Sequence, residues 1–152
     1  MNFLRYMSAL TAVLLSSSAW ADITIQDAWV RATVPAQRAT GAFMNIQTTE
    51  AVSLIGARSN LSKVTEVHEM RMENNVMKMQ AIARIDINPD KPLNLKPGSY
   101  HIMLMELNKP ATAGERVDLT LIFEKTDKSR FEKNISADIK PLTMKAHGTH
   151  AH

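Results

Sequence analysis

About nine short segments, set roughly ten residues apart and separated by Gly, Pro and Asn, constrain this chain more than any other feature. Residues 23–30, 41–48, 51–58, 63–72, 77–81, 100–107, 117–124 and 130–139 are rich in β-branched or aromatic side chains or alternate apolar with polar ones. Pro92-Leu93-Asn94-Leu95 adds a short edge strand, because proline cannot donate to a ladder. The clearest strand is VDLTLIFE at 117–124, and no stretch repeats apolar residues at helical spacing. An all-β fold follows, an antiparallel β-sandwich or barrel. With 152 residues and 45% hydrophobic content the chain supports one core, so a single domain is expected over residues 22–140. Trp29 is expected in that core, and residues 82–91 are expected to be a connection.

The first 21 residues stand apart. Arg5 precedes an apolar run from Met7 to Leu15, and Ala19-Trp20-Ala21 fits a small-residue cleavage site, which reads as an export signal cut after Ala21. The run falls short of the ~20 residues a bilayer span needs, so the mature form is expected not to span a membrane. No cysteine follows it to carry a lipid. Cleavage removes one charged residue, Arg5, and the formal charge of +3 falls by one. A small charge made of scattered basic residues gives no indication of an anionic membrane surface as partner, and no nucleic-acid partner is expected. The absence of cysteine also means no disulfide supports the fold. It excludes a blue-copper centre as well, because that site needs a thiolate.

One stretch carries unusual chemistry. HEMRMENNVMKMQ at 68–80 and YHIMLMEL at 100–107 hold His68, His101 and six of the ten methionines. Asn74 and Asn75 suit a two-residue hairpin turn, since asparagine tolerates left-handed backbone. That register pairs Met72 with Met77, Met70 with Met79 and His68 with Ala81. All the His and Met side chains then share one face, and His68 and Met79 become diagonal neighbours about 7–8 Å apart. In the later segment His101, Met103 and Met105 share a face opposite Ile102 and Leu104. Methionine is also a gap-filler in cores, so packing and soft-metal ligation both remain open at this level. If a metal is held, neutral thioethers favour Cu(I) over harder divalent ions.

The spacing His68, ten residues, Met79, twenty-one residues, His101, one residue, Met103 resembles the H-x10-M-x21-H-x-M motif of the PCuAC family of periplasmic copper chaperones. The likeness extends from Trp29-Val30-Arg31-Ala32-Thr33 through Lys96-Pro97-Gly98-Ser99-Tyr100-His101 to the last strand. It implies a cupredoxin-like β-sandwich, one Cu(I) held by His68, Met79, His101 and Met103, and a place in the bacterial periplasm. It further implies delivery of copper for the binuclear copper site of cytochrome oxidase, with that copper-site subunit or another copper chaperone as acceptor. A monomer and no enzymatic activity are expected, since no acid–base pair or activated nucleophile accompanies the motif. Copper sequestration for resistance is the alternative. The tail, residues 141–152, reads as a flexible segment in which Met144, His147, His150 and His152 are interspersed with small residues. Its imidazoles suit a second copper, Cu(II).

Overall fold

A computed structural model describes residues 21–142 of the chain. Ten strands run in order: β1 (Ile23–Arg31), β2 (Ala39–Thr48), β3 (Val52–Ser59), β4 (Ser62–Glu73), β5 (Val76–Ala81), β6 (Ile85–Ile87), β7 (Leu93–Leu95), β8 (His101–Leu107), β9 (Arg116–Lys125) and β10 (Arg130–Lys140). They form one sheet in the order β5-β4-β8-β2-β1-β10-β9-β3-β6, with β7 also on β2. The sheet folds over so that β3 meets β4. Its concave side packs Val30, Ala42, Met44, Ile46, Leu54, Ile102, Leu104, Leu119, Leu121 and Phe123, all essentially without solvent contact. Met44 is thus a packing methionine.

The all-β single core agrees with the sequence reading, and three details differ from it. First, β1 and β10 pair in parallel, with Trp29 beside Asp138 and Arg31 beside Lys140, while every other ladder is antiparallel. First and last strands can lie parallel because the rest of the chain serves as the long crossover such a pair needs. Second, the segment 82–91 contains β6, whose Ile85 and Ile87 are buried against β3. Third, Trp29 is half-buried on the outer face instead of in the core. The cause is a bulge between Gln26 and Trp29, where Asp27 takes a φ of 54°. One extra residue reverses the alternation: Ile23 and Ile25 face the core before it, and Val30 does so after it. Trp29 and Arg31 are thereby turned outward, towards the histidines of β4 and β8.

Candidate metal centre

The β4–β5 hairpin turns at Asn74 and Asn75, with φ of 51° and 62°. Two consecutive left-handed residues are what a two-residue turn matched to strand twist requires. The register is the expected one: Met72 opposite Met77, Met70 opposite Met79, His68 opposite Ala81. On its other side β4 pairs with β8, placing His68 opposite His101 and Val67 opposite Ile102. Val67, Ile102 and Leu104 point into the core, so the histidines and methionines occupy the opposite, outer face. His101 enters β8 from a tight turn in which Ser99 N–H donates to the Lys96 carbonyl at 3.1 Å. Pro97 and Gly98 fill its two central positions, Gly98 at a φ of 83°, the type II pattern.

Three of the four motif residues, Met79, His101 and Met103, line one cleft there, and His68 stands beside His101 at its edge. His101 Nε2 lies 3.2 Å from Met79 Sδ, reaching across β4. The His68 and His101 rings are 5.8 Å apart. Met103 lines the same cleft as Met79 and His101, a cavity of about 270 Å³ bordered also by Arg31, Gly41 and Phe43. Both histidines are buried, at 7% and 5% exposure, whereas Met79 remains 47% exposed.

Hydrogen bonding fixes the state of each ring. His101 Nδ1 sits 3.1 Å from the Ser99 carbonyl, an acceptor only, so Nδ1 carries the proton and Nε2 presents a lone pair to the Met79 sulfur. Two lone pairs facing each other gain little unless a cation lies between them. For first-row bond lengths of about 2.0 Å to nitrogen and 2.3 Å to sulfur, tetrahedral N and S ligands stand roughly 3.5 Å apart. The observed pair needs only a small opening. His68 Nε2 donates to Glu66 Oε2 at 2.8 Å, which leaves His68 Nδ1 buried and without a hydrogen-bond partner. An orphaned buried acceptor is costly, and ligation of an ion satisfies it. Burial pushes the His101 pKa below its ordinary value; its bond to the Ser99 carbonyl opposes this, while His68 and Arg31 add to the lowering. A neutral ring is the form that binds metal.

Behind the cleft stands an aromatic wall of mutually tilted rings. Trp29 and Phe43 rings are 4.6 Å apart, Phe43 and His101 6.2 Å. Arg31 Cζ lies 5.4 Å over Phe43, and Lys140 Nζ 5.6 Å over Trp29. Gly41 permits this packing, since a Cβ there would stand 2.8 Å from Phe43 Cζ. Among the described residues no three His, Cys, Asp or Glu gather as a hard-metal site would. The sequence reading did not name Glu66, Ser99, Arg31 or Phe43 as site residues. Glu66 lies two positions before His68 on the same strand, so same-face spacing could have found it; Ser99 acts through its backbone carbonyl, for which side-chain spacing gives no signal. Arg31 and Phe43 carry no such local signal. The tail with His147, His150 and His152 and the proposed export signal lie outside the described residues.

A model of the family described as "Putative lipoprotein LpqE-like" matches residues 23–135. A curated protein of Leifsonia xyli subsp. xyli, "Putative lipoprotein Lxx21020", is 33% identical over 104 residues, 66% of this chain and 61% of that protein. The chain thus spans less than two thirds of that relative's length. Among solved structures, the copper-bound PCuAC domain from PmoF2 superposes with a TM-score of 0.63 at 22% identity, covering 78% of this chain and 92% of that one. The Cu(I) form of DR1885 from Deinococcus radiodurans gives 0.56 at 30% identity over 82% and 83%. The fold is therefore the cupredoxin-like β fold of PCuAC domains, as the motif resemblance implied.

Proposed function

The chain belongs to the LpqE-like family, and from that premise we propose that it is a periplasmic copper chaperone holding one Cu(I) through His68, Met79, His101 and Met103. The observation that carries this reading is the pairing of an unprotonated His101 Nε2 with the Met79 sulfur at 3.2 Å. The partnerless Nδ1 of His68 next to it adds weight. Solved neighbours of the same fold are described as copper-bound, which supports copper as the cargo.

The chemistry of the donors suits this role. Two imidazoles and two thioethers add no negative charge, so a monovalent soft ion is favoured over a divalent one. Arg31 on the cleft wall strengthens that preference, because its repulsion of a cation doubles with the ion's charge. Its positive charge also attracts an anionic ligand from an incoming acceptor. Glu66 holds the His68 tautomer and the Ser99 carbonyl holds that of His101, as outer partners of metal-binding histidines do. Met79, the exposed member of the set, is the ligand an acceptor reaches first. Release then proceeds by exchanging one ligand at a time. That exposure favours delivery over sequestration, where a closed site serves better.

In this reading the signal is cleaved after Ala21 and the mature protein acts as a monomer and a carrier, without catalysis. No helix among the described residues is long and apolar enough to cross a membrane. The acceptor is the copper-site subunit of cytochrome oxidase or another copper chaperone. His147, His150 and His152 provide a secondary Cu(II) site. The test is competition for Cu(I) against a chromophoric chelator. Met79→Ala combined with Met103→Ala is expected to weaken binding on the order of 100-fold or more, since loss even of outer partners costs about 10–100-fold. Unchanged affinity would remove the ligand assignment. Mixing the loaded protein with an apo oxidase copper domain then separates the roles, because full retention by the donor indicates sequestration.

A further inference from the structure

The hairpin beyond the motif is built asymmetrically. Its Glu69, Arg71, Glu73 and Lys78 side chains share one face, where Glu73 meets Lys78 at 2.9 Å and Arg71 meets Glu69 at 3.3 Å. The other face carries no charge. It consists of two cross-strand methionine pairs, Met70 with Met79 and, nearer the tip, Met72 with Met77. Met72 is 61% exposed and Met77 45%. A methionine that open to water fills no gap, so packing does not account for the outer pair. Directly opposed residues have Cβ atoms about 4.5–5.5 Å apart, within which two flexible thioethers close on one ion. Successive pairs on one face are roughly 7 Å apart along the strands, a distance that methionine arms from both sides span.

We propose that Met72 and Met77 form a second, outer site for a soft monovalent ion, the station from which the ion steps to Met70 and Met79 and so to His101. This rests on the reading of the inner site given above. Each step replaces one neutral thioether by another, so the ion keeps its charge and oxidation state and no proton moves. Between the tip and Met70 this face offers no carboxylate to hold a hard ion along the way, and Glu66, beyond it, is engaged by His68.

The experiment uses the full mature chain labelled with 13C at the methionine methyls and titrated with Ag(I), which is soft, monovalent and not oxidised in air. The first equivalent is expected to shift the Met79 and Met103 methyls and the His101 ring. The second is expected to shift Met72 and Met77 together. In Met72→Leu with Met77→Leu, which keeps the apolar surface and nearly the volume, the second equivalent is lost from the hairpin and the first is retained. The proposal is overturned if the Met72 and Met77 methyls stay still through the second equivalent, if that equivalent goes to the tail histidines instead, or if the leucine variant still takes it at the hairpin. Should the first equivalent leave Met79, Met103 and His101 unmoved, the inner-site reading fails separately, and the Met72 and Met77 signals still decide the outer one.

Discussion

At the scale of the residue, the two histidines are set up alike, each restrained by a group two positions earlier in the chain: the Glu66 carboxylate on the same face of β4 for His68, the Ser99 backbone carbonyl in the preceding turn for His101. The lowered pKa of His101, caused first by burial, has a consequence for the apo protein. The unfolded chain takes up the proton near the ordinary histidine value of about 6.5, and the folded chain does so only at lower pH. Stability is therefore full above about 6.5 and declines as pH falls towards the lowered folded value. Urea midpoints of apo protein between neutral and mildly acidic pH should show this decline, and His101→Gln should flatten part of it. An unchanged slope in the variant would mean His101 is not its source. That His101 and Met79 would approach each other was legible in part, because alternation along a strand and the Asn74-Asn75 turn place side chains by local rules. Arg31 and Phe43 were not, because they reach the cleft only through the bulge at Asp27 and the pairing of β2 with β8.

Among the elements, the β4–β5 hairpin does most to assemble the site, since its register decides whether Met79 meets His101. That register was readable from Asn74 and Asn75 and their alternating flanks. Left-handed backbone costs an ordinary residue roughly 1–2 kcal/mol, so Asn74→Ala with Asn75→Ala should destabilise the turn by somewhat less, asparagine itself not being free of the penalty. Every residue of β5 is exposed, so global unfolding should move little while Cu(I) affinity falls. A chelator competition run beside a urea melt checks this; an equal loss in both would place the hairpin within the cooperative core. Other elements hid from the sequence for physical reasons. Ile85-Asp86-Ile87 is one alternation long, too short to stand out from a loop, and becomes a strand only by pairing with β3. Asp27 looks like any polar strand position until its positive φ reverses the faces of Trp29 and Val30.

For the whole molecule, the class of fold was legible because strand-length segments and turn residues recur along the chain. The sheet order was not, because neighbours such as β1 and β10 join residues more than a hundred positions apart, and no local pattern specifies which strand completes a sheet. The proposed ligands come from β4, β5 and β8, at one end of that order. Hydrogen exchange should therefore slow on Cu(I) loading at Met77 to Ala81 more than at Val117 to Phe123, whose strand lies between β3 and β10 and is already protected. Uniform slowing would argue that the ion stiffens the protein generally. The aromatic wall of Trp29 and Phe43 is anchored in the middle of the sheet, whereas Met79 rides on a strand with no neighbour beyond it among the described residues. On the proposed function the cleft is thus a gripper with one fixed jaw and one sprung jaw, from which a cargo ion would leave by bending the second while the first keeps its shape for the next.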